Sequence, residues 1–350
     1  MSLYLIFSLL VAALLCLDLF VLNKDAHEIK TREAVKWTSL WVGLALAFSG
    51  FVYYGYETGF MGLGDTVGLP KSGGEALLEY LTGYLIEQSL SIDNIFVIAL
   101  IFSYFGIPKK YQHRLLFWGI LGAVAFRGLM IWAGALLMER FDWIIYVFGA
   151  ILLFSAYKMW KSGDDEVDPA KNPVVNFFKK IMPITKSMYG DKFFVKRMGV
   201  TAATPLFIAL IVIETTDVIF AFDSIPAIFG ITRDPFIVFS SNIFAILGLR
   251  SLYFVLAAVI DKFKYLQTSL ILILAFVGLK LLLANVYHLP IWASLGIIIL
   301  LIAGGVIASL IWTEQAVPEK MEDHEKPLEI TDPSVPAEIA RKLEDGTPIL

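Results

Sequence analysis

Two apolar stretches of this 350-residue chain carry acids at helical spacing. They read EQSLSIDN from Glu87 to Asn94 and ETTDVIFAFDS from Glu214 to Ser224. Glu87, Asp93, Glu214, Asp217 and Asp223 offer carboxylates, Asn94 an amide oxygen and Ser224 a hydroxyl. These are hard oxygen donors, the ligand set suited to Mn²⁺, Mg²⁺ or Ca²⁺. Nitrogen and sulfur ligation is disfavoured. His27, His113, His288 and His324 are read in loops or the tail, and Cys16 is the single cysteine.

Spacing sorts these donors by face. Glu87, Ser91 and Asn94 follow i, i+4, i+7, and Glu214, Asp217 and Ala221 follow i, i+3, i+7, so each trio shares one helix face. Asp93 lies about 120° from Glu87 at ~100° per residue. It therefore faces a second partner, or the helix is locally unwound. Pro226 lacks an N–H and crowds the preceding turn. Carbonyls near 222–224 are expected to be freed for an ion, as membrane-depth backbone lining a cavity can be.

Other charges fall inside apolar runs: Asp18, Arg127, Arg250, Lys158 and Lys280. A charge at mid-membrane costs about 2.5–3.5 kcal/mol, while a Leu returns only about 0.3–0.6. Such residues normally face the bundle interior and mark a pathway or relay. Asp18 sits near a helix end and reads as interfacial or as part of the pathway. Lys158 and Lys280 are long enough to reach headgroups. Arg127 and Arg250 are too central for that. They read as counter-charges that fix packing, or as gating partners of the acids. Six acids against four bases leave two negative charges, which a divalent cation would neutralise.

The elements that must position these residues are membrane helices. The chain is 58% hydrophobic and 17% charged, against about 25% charged in soluble proteins. Runs near the ~20 residues that cross hydrocarbon predict an all-α membrane protein of about nine spans: 3–22, 37–55, 79–103, 115–137, 142–160, 200–224, 236–259, 266–285 and 291–312. The first lacks a basic leader and reads as a retained helix rather than a signal peptide. The odd-numbered loops and the tail hold 21 Lys and Arg, and the even-numbered loops hold three, Lys71, Arg140 and Arg233. That asymmetry puts the N-terminus outside and the C-terminus in the cytoplasm.

The chain also repeats. SIDNIF at 91–96 matches TTDVIF at 215–220, AFRGLMIWAG at 125–134 matches GLRSLYFVLA at 248–257, and AYKMW at 156–160 matches GLKLL at 278–282. Three helices per copy is an odd number, so the second copy enters the membrane from the opposite side. Inverted repeats of this kind belong to transporters with a midplane site. The expected organisation is two N-terminal helices and an outer loop (1–78), a first three-helix repeat (79–160), a basic cytoplasmic linker (161–198), a second, inverted repeat (199–286), a last helix (287–312) and an acidic, mostly disordered tail (313–350).

No hydrolytic constellation, Walker loop or dinucleotide fingerprint is present, so no enzyme activity and no bound cofactor are expected. The reading is a secondary transporter of divalent cations, coupled to an ion gradient such as protons. Its partners are membrane lipid and the cation itself, with no nucleic acid. The rival is a membrane scaffold or assembly factor whose charges hold helices together and whose tail recruits partners.

EQSLSIDNIFVIALIF (87–102), ETTDVIFAFDSIPAIFGIT (214–232) and NIFAILGLRSLYF (242–254) resemble the TerC family of integral membrane proteins, across about residues 3–312. That resemblance implies a multi-pass inner (plasma) membrane or thylakoid protein that exports Mn²⁺ and supplies it to secreted metalloenzymes. Its functional positions would be Glu87, Asp93, Asn94, Glu214, Asp217, Asp223 and Ser224. An acid-lined midplane offers nothing to a tellurite oxyanion, despite the family's link to tellurium resistance.

Overall fold

A computed structural model describes residues 3–17, 31–64, 71–162, 173–185, 188–197, 200–257, 264–286 and 289–312. Asp18 and the acidic tail lie outside the described residues, as do residues 19–22 of the first expected span. The elements in chain order are α1 (Leu3–Leu17), α2 (Thr31–Glu57), α3 (Gly73–Tyr104), α4 (Lys109–Arg140), α5 (Ile144–Ser162), α6 (Pro173–Ile181), β1 (Phe194–Arg197), β2 (Val200–Ala203), α7 (Pro205–Phe229), α8 (Pro235–Leu256), α9 (Lys264–Leu282) and α10 (Ile291–Trp312). Among the described residues eight helices, α2–α5 and α7–α10, are long and apolar enough to cross a membrane. The short apolar α1 accompanies them.

Helix starts are written in the sequence. Ser72 caps α3 in a reciprocal capping box with Glu75, which satisfies two orphan N–H groups. Pro205 and Pro235 open α7 and α8, where a missing N–H costs nothing. Ser72 lies outside the apolar run at 79–103, and α3 and α4 are each 32 residues long. His113, expected in a loop, stands in the second turn of α4. Two further expectations are corrected. Residues 200–203 form a strand paired antiparallel with β1, not the start of a span. And α7 runs unbroken from Pro205 to Phe229 through Pro226, so the backbone is not unwound there. The missing Pro226 N–H affects one carbonyl, that of Phe222, four residues back.

Helix directions follow from who touches whom. On α4 and α7, Gly119 faces Ile213, Gly122 faces Glu214, Arg127 meets Asp217 and Gly134 faces Phe229, so the two run parallel. On α3 and α8, Gly83 faces Ser241, Glu87 meets Asn242 and Phe102 packs on Tyr253, again parallel. By contrast α5 and α9 run antiparallel: Gly149 faces Gly278, and Tyr146 reaches Asn285 just past the end of α9. A Cβ on Gly149 or on Gly278 would stand 3.0 Å from the other's carbonyl oxygen. Small residues are what let membrane helices approach this closely, because lipid supplies no hydrophobic drive between them.

Helix α8 is the hub. It packs on α2, α3 and α4 and its residues 236–251 are buried apart from Phe239. Burial on all sides explains a helix without a polar face, and it makes Ser240, Ser241, Asn242 and Ser251 interior groups. Lipid is met instead by residues such as Trp132, Phe154, Phe222 and Leu300.

Candidate functional site

Four helices converge on one buried polar cluster. From α3 come Glu87, Ser91 and Asn94; from α7 come Asp217 and Ser224; α4 adds Arg127 and α8 adds Asn242. Arg127 is 1% exposed and Glu87 is fully buried. The guanidinium takes Asp217 side-on, with Nη2 to Oδ1 at 2.8 Å and Nε to Oδ2 at 3.2 Å. Its Nη1 donates to Glu87 Oε1 and, at 3.2 Å, to Ser224 Oγ. The second oxygen of Glu87 accepts from Asn242 Nδ2 at 2.8 Å, and Asn94 Nδ2 lies 3.4 Å from Asp217 Oδ1.

Around this network stand acceptors with no hydrogen-bond partner: Ser91 Oγ, Asn94 Oδ1, Asn242 Oδ1 and Glu214 Oε2. Buried acceptors of this kind are normally satisfied, so several close together call for an explanation. Beside them is a cavity of about 20 Å³ lined by Asn94, Gly119, Ala123, Thr216, Asp217 and Leu249, room for about one water. It lies toward the C-terminal ends of α3 and α8 and the N-terminal ends of α4 and α7. In the other direction the bundle is filled, with Ile228 against Gly83 and Phe229 against Gly134.

The remaining sequence candidates lie outside this hydrogen-bond network. Glu214 stands one turn before Asp217 on α7, its carboxylate lying on Gly122 of α4, where a Cβ would displace it. Asp93 is half-buried on the regular helix α3, which removes the unwound alternative. It makes no hydrogen bond or ion pair among the described residues. Asp223 accepts from Ser155 Oγ on α5, with exposed Lys158 as the charge facing it. Lys280 faces Glu79, not this cluster. Arg250 is buried on α8, two turns beyond Asn242.

Among the described residues no three acids, His or Cys gather at metal-ligand spacing. The hydrogen-bonded cluster joins two carboxylates, Glu87 and Asp217, with amides and hydroxyls. Asn242 lies in the NIFAILGLRSLYF stretch, where one amide in an apolar run carries no spacing signal that marks it as a site residue.

A second polar network was not foreseen. Tyr56 Oη donates to Asp234 Oδ2 at 2.7 Å, and Asp234 caps α8 through Phe236 N at 3.0 Å. Lys71 Nζ bridges Glu79 Oε2 at 2.7 Å and Thr232 Oγ1 at 3.2 Å. Together these bonds tie α2 and the start of α3 to the α7–α8 connection.

The family model for the integral membrane protein TerC family matches residues 72–317, which hold all four helices of the cluster. This chain belongs to the TerC family. As a TerC protein it is a multi-pass protein of the inner membrane. An uncharacterized membrane protein of Myxococcus xanthus is 45% identical over 306 residues, covering 87% of this chain and 91% of that one. Alx of Escherichia coli K12, named as a candidate membrane-bound redox modulator, is 44% identical over 294 residues, 83% of this chain and 89% of its own. A Rickettsia felis membrane protein is 41% identical over 308 residues, 88% and 97% of the two chains. No solved structure matches this TerC protein.

Proposed function

We propose that this TerC protein exports a hard divalent cation, Mn²⁺ first and Ca²⁺ or Mg²⁺ as alternatives, through the cluster between Glu87 and Asp217, in exchange for protons. The observation that carries the reading is the meeting of these two carboxylates, one from each sequence repeat, at a single buried point ringed by unpaired oxygen acceptors. A hard cation takes six or more oxygens and accepts carbonyl, hydroxyl and carboxylate alike. The reciprocal packing supports the inverted-repeat reading: exchanging α3 with α7 and α4 with α8 turns the α3–α8 contact into the α4–α7 contact, and α5–α9 maps on itself. Positive-inside orientation makes the small cavity's side cytoplasmic, and the filled side outer. The test is Mn²⁺ flux in proteoliposomes, with Glu87→Gln and Asp217→Asn compared at equal folded protein; undiminished flux in both refutes the site.

The rival scaffold reading also has support. Arg127 already pairs with both acids, as a purely structural ion network would. A redox role, carried by the name of the Escherichia coli relative, would have to work with one thiol, Cys16.

A further inference from the structure

We propose that Arg127 is a tethered counter-cation: its guanidinium holds the cation position between Glu87 and Asp217 when no metal is bound, and must leave for the metal to enter. The proposal rests on the transport reading above and assigns the competitor at that same site.

Three observations lead to it. Arg127 uses Nε, Nη1 and Nη2 on the two carboxylates. The acceptors, Glu87 Oε1 and both oxygens of Asp217, are the atoms a metal would need, so the two cations compete for them. Second, the guanidinium leaves oxygen acceptors unpaired around it, Asn94 Oδ1 and Asn242 Oδ1 among them. Both amides have to point N–H at a carboxylate while Arg127 is in place, because carboxylates only accept. A spherical ion can draw on oxygens that a planar fork of donors leaves unused. Third, a station is at hand. Glu214 lies one turn from Asp217, about 4.5 Å of axial rise, against the same helix α4 that carries Arg127 and with Oε2 unpaired. A swing of the long Arg127 side chain from Asp217 toward Glu214 frees the two acids without moving a helix.

The chemistry favours Arg for this task. Guanidinium stays charged at any working pH. It offsets the charge of Glu87 and Asp217 in the empty carrier. It also weakens metal binding by competition, and so promotes release.

The experiment uses the full-length protein in detergent and in proteoliposomes, with Mn²⁺ as probe. Mn²⁺ binding is measured by titration calorimetry and flux by metal uptake, for wild type, Arg127→Gln and Arg127→Lys. The expected result for Arg127→Gln is Mn²⁺ binding at least tenfold tighter together with flux at least tenfold lower. Arg127→Lys, which keeps the charge but not the side-on grip, should bind Mn²⁺ severalfold tighter than wild type and carries the test if Arg127→Gln does not fold. Binding equal to or weaker than wild type in a folded variant overturns the proposal while leaving transport intact. If wild type neither binds nor carries Mn²⁺, Ca²⁺ or Mg²⁺, the transport reading fails, and this one with it.

Discussion

Arg127 on α4 and Asp217 on α7 form a side-on, two-bond ion pair deep in the bundle, at 2.8 and 3.2 Å. The same guanidinium reaches Glu87 on α3. Removing one partner of a buried pair leaves an uncompensated charge, at a cost of about 3–5 kcal/mol. Arg127→Gln, which strips the counter-charge from both Glu87 and Asp217, should therefore lower both Mn²⁺ flux and the melting temperature in detergent. Arg127→Gln combined with Glu87→Gln and Asp217→Asn should recover most of the stability but none of the flux. Recovery of flux along with stability would make the pair a packing device only.

A Cβ on Gly122 would fall where the Glu214 carboxylate lies. Gly122→Ala should displace Glu214 and cost about 1–3 kcal/mol through overpacking. Shortening Glu214 to Ser in the same protein should relieve that cost. Thermal melting of the two variants checks this; equal melting for both would mean the contact is not tight.

Tyr56 and Asp234 tie α2 to the start of α8 through a buried 2.7 Å hydrogen bond. Tyr56→Phe keeps the ring and deletes the donor. Stability should fall by about 1–3 kcal/mol, the cost of leaving a buried acceptor unpaired. Mn²⁺ flux per folded molecule should stay near wild type, because this network is remote from Glu87 and Asp217. A selective loss of flux with unchanged melting would give the network a role in transport.

The charge asymmetry predicts sidedness. A reporter active only in the periplasm should be inactive after Leu350 and active near Gly64. The reverse pattern would put the 20 Å³ cavity on the outer side and make it an exit instead of an entrance.

The helices were legible because ~20-residue apolar runs are strong, while their starts at Ser72, Pro205 and Pro235 are not marked by those runs. The 200–203 segment misled because its small and β-branched residues continue an apolar run, whereas Pro205 marks the true start of α7. Within the site, the face carrying Glu87 and Asn94 and the mid-helix place of Asp217 were readable from periodicity. The family motif groups Asp223 with Asp217. On an unbroken helix six residues turn the side chain about 120° away, so Asp223 meets α5 instead. Asp93 stands six residues from Glu87 and is turned aside for the same reason. The repeat equates Asp93 with Asp217, yet only Asp217 meets an arginine; sequence symmetry does not report which of two equivalent acids is engaged. The Arg127–Glu87–Asn242 chain joins three helices far apart in sequence, and no local pattern encodes it.

The most direct measurement is Mn²⁺ uptake by proteoliposomes holding wild type, Glu87→Gln or Asp217→Asn, normalised to folded protein. Losing one carboxylate from a dehydrated two-carboxylate site should cut flux more than tenfold in each variant, while wild type carries Mn²⁺ readily. Full flux in both variants, or no hard-cation flux by wild type, would contradict the account and leave the scaffold reading in its place.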